Sequence, residues 1–73
     1  MRTLREWRIA RLMGTQALAS LSGVTKKTII DLEYGRQAPR PKTMAALCAA
    51  LGVEPGEVAE FAQAMEQLSK DAA

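Results

Sequence analysis

Thr15 to Tyr34 reads TQALASLSGVTKKTIIDLEY, and this stretch organises the rest of the chain. It predicts two short helices around a tight corner. Leu18 and Ala19 form the apolar pair of the first helix. Gly23 supplies the turn, because a residue without a Cβ takes a left-handed conformation at little cost. Val24 plugs the corner. Thr25 is an N-cap candidate, with a side-chain oxygen for the free N–H groups of the next helix. Ile29 and Leu32, three apart, form the inward stripe of that helix.

Two short helices with a glycine corner have the spacing of a helix-turn-helix, whose second helix enters the DNA major groove. The flanking residues carry a more specific likeness. Arg8 comes first, then Leu18, Ala19, Gly23, Val24, Ile29, Leu32, Glu33, Gly35, Pro39 and the run Leu51-Gly52-Val53. On these residues, over about Leu4 to Val58, the chain resembles the phage-repressor family of helix-turn-helix proteins (Cro/repressor, or xenobiotic-response-element type). The resemblance implies an all-α, five-helix, lambda-repressor-like domain with the helix-turn-helix formed by helices two and three.

Composition agrees with that class. The 73 residues make one small domain, which buries only about 60% of its unfolded surface. Ala and Leu dominate the apolar set, as an all-α fold prefers. No apolar run approaches the roughly 20 residues that span a bilayer, and Arg2, Arg5, Glu6, Arg8 and Arg11 break up any leader-like apolar core. Cys48 is the single cysteine, so an internal disulfide is excluded and a reducing cytoplasm is the expected setting. Residues 1–42 hold nine Lys/Arg against three Asp/Glu, net +6, whereas residues 43–73 hold one against five, net −4. The basic front suits a polyanion and the acidic tail something else, unless both are simply solvated surface.

Working outward, Leu4 to Met13 reads as helix one, with Thr3 as N-cap candidate, Leu12 adding to its apolar side and Gly14 ending it. Arg8 is a poor core residue alone. The resemblance implies that it pairs with Glu33 as a structural ion pair, and a bidentate guanidinium–carboxylate contact explains an inward charge. The alternative is a surface Arg facing a phosphate. Helix two spans about Gln16 to Leu21. The family's cap and Gln fall where this chain has Gly14 and Thr15, so its own Gln16 comes one residue late. Thr15 and Gln16 are phosphate-contact candidates beside a helix N-terminus that offers free N–H groups.

Helix three, Lys26 to Tyr34, is the candidate reading head. With Ile29 and Leu32 inward, Lys27, Asp31 and Tyr34 point most directly outward, Ile30 sits at the edge and Lys26 at the flank. Two lysines in a first turn oppose the helix dipole, so they hint at function. The resemblance implies base reading by Lys26, Lys27 and Asp31. Lys donates to guanine O6 and N7, Asp accepts from cytosine N4, and Ile30 either touches a thymine methyl or is one of the scattered exposed apolar residues of any surface. An i,i+4 pair with Lys27 is the other reading of Asp31. Thr28, Tyr34, Arg36, Arg40 and Lys42 complete the phosphate-contact candidates, the last three on or just after the loop Gly35 to Pro41.

Pro41 opens helix four, which runs to about Ala50 with Met44, Leu47, Cys48 and Leu51 inward. Cys48 there reads as a buried, inert thiol. Residues 55–69 read as helix five, with Val58, Phe61, Met65 and Leu68 in an a/d seam. That seam, with Ala62, is a candidate dimer interface, or else it folds back onto the chain's own core. The domain is thus expected over 1–69, with 70–73 a frayed tail.

The chain has no His, and no metal or cofactor is implied; a non-enzyme is expected. The expected function is sequence-specific binding of double-stranded DNA by a transcriptional regulator, a repressor by occlusion, acting as a homodimer on a near-palindromic operator. The rival is an antitoxin-like module that holds a basic partner protein on acidic helix five. A fragment cut from a longer protein is least favoured, because the chain starts with Met and ends in a polar tail.

Overall fold

Local signals place the helices of the computed structural model, which describes residues 1–72, with side chains through Lys70. α1 (Leu4–Ala10) begins at a capping box: the Glu6 N–H donates to Thr3 Oγ1 and the Thr3 N–H to Glu6 Oε1, at 3.2 and 2.8 Å. α2 (Thr15–Ser22) ends at Gly23 in the left-handed region, φ 78°. α3 (Lys26–Glu33) is capped by Thr25 and ends at Tyr34. α4 (Pro41–Leu51) starts on its proline and ends at left-handed Gly52. A single 3-10 turn (Pro55–Glu57) then leads through extended Val58 into α5 (Ala59–Ala72). The described residues hold five α-helices and no strand beyond one isolated bridge between Arg2 and Val58. This is an all-α architecture, as the resemblance implies.

Leu4, Leu18, Ala19, Ile29, Leu32, Met44, Leu47, Cys48, Leu51, Val58 and Phe61 make one core, with Trp7, Met13, Val24 and Val53 packed against it. Each fully buried Leu, Ile or Phe there contributes about 1.5–3 kcal/mol of burial free energy.

Two expectations need correction. α1 stops three residues early: Ala10 is its last residue, and Leu12 takes φ 58° and is 94% exposed. The reversal into α2 needs a left-handed residue at Leu12, which expels that side chain from the apolar face. Gly14 has an extended backbone instead and serves as the N-cap of α2.

The second correction concerns 55–69. It is a 3-10 turn and a helix, because Val58 is pinned in an extended conformation against the N-terminal segment. The Ala59 N–H donates to the Arg2 carbonyl at 2.9 Å, the Leu4 N–H to Glu60 Oε1 at 2.8 Å, and Trp7 Nε1 to the Glu57 carbonyl at 2.8 Å. Val58 and Phe61 are fully buried in the chain's own core, so neither is available to a second copy. Ala62 is half-buried, and only Met65 and Leu68 of the seam are exposed. α5 spans Ala59–Ala72 and so includes most of the expected tail; Ala73 lies outside the described residues.

Candidate nucleic-acid interface

Helix α3 is aimed by its two ends. At its start, Thr25 Oγ1 accepts the Thr28 N–H at 3.3 Å and lies 2.8 Å from the Thr28 hydroxyl. At its end, Arg8 Nε and Nη2 donate to the two carboxylate oxygens of Glu33 at 2.8 and 3.1 Å, and Arg8 Nη1 donates to the Met13 carbonyl at 2.9 Å. The side chains are 13% and 6% exposed. Their bond raises the Arg8 pKa above its ordinary value, against burial. One guanidinium therefore ties α1, the α1–α2 connection and the end of α3 together. Removing one partner of so covered a pair costs ~3–5 kcal/mol.

Outward of that frame, Lys26 and Lys27 are exposed and the first turn of α3 contains no acid. Ile30 is half-buried at the edge of this surface. Asp31 departs from its expected outward place. Its side chain is only 14% exposed, with Lys27 Nζ 3.0 Å from Oδ2 and Arg36 Nη1 3.8 Å from Oδ1. The loop after Gly35 folds Arg36 back over the helix exit, which the residue-by-residue rotation of α3 alone does not contain. Tyr34 is exposed, with the Arg36 guanidinium 5.1 Å from its ring centroid.

Apart from Tyr34 and Arg36, the phosphate candidates fall in two groups. Thr15 is half-buried and Gln16 exposed in the first turn of α2, whose N-cap Gly14 supplies no side-chain acceptor. The first N–H groups of that helix are thus left to an outside acceptor. Arg40 and Lys42 are exposed around the start of α4. They share a groove of about 460 Å³ with the hydroxyl-bearing Thr25, Thr28 and Thr43 at the helix-turn-helix corner. Thr43 stands outside the candidates that the sequence offers. Its signal is weak, a lone hydroxyl in a helix first turn, and its place opposite Thr25 is set by packing of α2 on α4.

A family model described as "Helix-turn-helix" matches residues 4–58, most of the chain. No curated protein and no solved structure matches. The matched stretch contains the Arg8–Glu33 pair, the corner at Gly23 and all the cations just described. It ends at Val58, before α5.

Proposed function

The chain belongs to the helix-turn-helix family of the XRE and lambda-repressor type, whose members are DNA-binding regulators, and from that premise we propose that α3 reads an operator from the major groove. The observation that carries this is the pair Lys26 and Lys27 in the acid-free first turn of α3, a choice that opposes the helix dipole and suits a polyanion. Lys26, Lys27 and Ile30 face base edges in this reading. The uncapped start of α2, with Thr15 and Gln16, takes one phosphate, and Arg40 and Lys42 take others on the far side. Arg8 and Glu33 hold the angle between these groups.

In this reading the protein is a non-catalytic repressor of the cytoplasm that acts by occlusion. It works as a homodimer on a near-palindromic site, with two α3 helices about 34 Å apart. The dimer face is the outer side of α5. Leu68 and Ala64 line a groove of about 430 Å³ with Ala38 and Pro39, and Met65, outside that groove, is a second exposed apolar residue of α5 beside Leu68. The same face is what an antitoxin-like module would offer to a basic partner.

Selection of bound duplexes from a random pool, followed by titration of the winner at several salt concentrations, tests the reading. A two-fold symmetric winner is expected, lost on Lys26→Glu plus Lys27→Glu. Weak, steeply salt-dependent binding without any enriched sequence would overturn it.

A further inference from the structure

Two cations at the exposed edge of α3 share one counter-ion. Asp31 lies one turn after Lys27 and just before the helix exit that carries Arg36. Its Oδ2 is 3.0 Å from Lys27 Nζ and its Oδ1 3.8 Å from Arg36 Nη1. The side chains of Lys27 and Arg36 are 87% and 65% exposed, yet that of Asp31 only 14%. The carboxylate therefore lies beneath its cations. Arg36 is also held by its own backbone, whose N–H donates to the Asp31 carbonyl at 2.8 Å, and by the Tyr34 ring under its guanidinium. A connected row, Lys27–Asp31–Arg36–Tyr34, joins the start of the reading helix to its exit.

Resting on the DNA-binding reading above, we propose that Asp31 is a positioning residue that sets specificity: an internal counter-charge that fixes Lys27 and Arg36 in direction and opposes their transfer to arbitrary phosphates. A phosphate that draws either cation away leaves the Asp31 carboxylate short of a partner and close to another anion. A duplex that meets the cations where Asp31 holds them makes no such demand. An ammonium has three donors, so Lys27 keeps two for an acceptor while one stays on Asp31. At 3.8 Å, Arg36 keeps its fork largely free. Asp31 thus weakens binding to DNA in general more than binding to the matched site, and does so without touching a base.

Asp31→Asn removes the charge at nearly constant size. The full chain and this variant are titrated with the selected operator and with a scrambled duplex of equal length, over a range of salt. For the scrambled duplex we expect affinity to rise about 3–10-fold and the salt slope to steepen by about one, as one or two cations become free for phosphates. The operator-to-scrambled ratio falls by a similar factor, and the base preferred at each position stays the same. In a Lys27→Met background the effect of Asp31→Asn shrinks, because one of its two partners is gone. A change in preference confined to one base pair would make Asp31 a direct reader and overturn the proposal. So would unchanged affinity for the scrambled duplex. Asp31→Ser serves as the second neutral variant if the Asn variant melts at a lower temperature than the parent. A parent chain that enriches no duplex would overturn both this inference and the reading beneath it, which separates that failure from the other two.

Discussion

Leu12 and Gly14 stand two residues apart, each in a place that suits the other's chemistry. Leu12 holds φ 58°, where a Cβ is strained, and Gly14 caps α2 with φ −77° and no side-chain acceptor. Leu12→Gly relieves a backbone strain of ~1–2 kcal/mol and gives back ~0.5–1 kcal/mol of chain entropy, so a small net rise in thermal midpoint is expected. A Cβ at Gly14 meets nothing within 4 Å, and Gly14→Ser adds a cap worth a few tenths of a kcal/mol. If that Ser competes with a phosphate for the first N–H groups of α2, operator affinity falls while stability rises. Chemical melts and operator titrations of the two single variants check both statements.

Cys48 gives a pH signature at the same scale. Burial, with smaller contributions from Glu54 and Glu57, pushes its thiol pKa up. The folded state then keeps a proton that the unfolded chain releases. Stability from this group is present below the ordinary thiol range and is lost as pH rises through and beyond it. Reaction of Cys48 with a thiol reagent at neutral pH is expected to be slow in buffer and fast in denaturant. Equal rates would show a solvent-open thiol instead.

At the scale of elements, α3 and α5 answer to different forces. Thr25→Ala removes the N-cap of α3 and is expected to cost about 1 kcal/mol, read from a denaturation midpoint. α5 is held by burial. Phe61→Ala opens a cavity at a fully buried site and is expected to cost ~3–5 kcal/mol, enough to unfold much of so small a domain. Trp7 shows how α1 supports the same junction. Its indole N–H donates to the Glu57 carbonyl, and the Arg2 and Arg11 guanidinium groups lie 5.0 and 5.1 Å from its ring centroid. Arg11 also reaches back to the Leu51 carbonyl at 2.9 Å. Of the two places that the sequence left open for this seam, a dimer face or the chain's own core, the buried part of it takes the second.

For the whole molecule, the basic front and acidic tail lie on one body of radius of gyration 11.5 Å. On α5 the apolar surface left for self-association is Met65 and Leu68, with a groove beside Leu68. Met65→Ser plus Leu68→Ser is expected to lower unfolding free energy by about 1–2 kcal/mol and leave the chain folded, since each residue is more than half covered. For the proposed dimer, the same double variant is expected to abolish self-association in sedimentation and to reduce two-fold operator binding to weak half-site binding. An unchanged dimer would place the interface elsewhere.

The sequence by itself determined whatever rests on neighbours a few residues apart. The capping box at Thr3 and Glu6, the cap at Thr25, the corner at Gly23 and the inward stripe of α4 are all i,i+3 or i,i+4 statements, written in the order of residues. Only the tertiary structure decided which surface a stripe meets. The spacing of Val58, Phe61, Met65 and Leu68 says that they share a seam. It does not say that pairing of Val58 with Arg2, 56 residues away, buries the first two and leaves the last two outside. Asp31 was legible as a neighbour of Lys27, while Arg36 over it was not, because the left-handed turn at Gly35 returns the Arg36 backbone to the Asp31 carbonyl and the rotation of a regular helix does not contain that turn. Leu12 escaped for a related reason: its apolar character favours burial, but closure of α1 onto α2 needed its backbone more than its side chain.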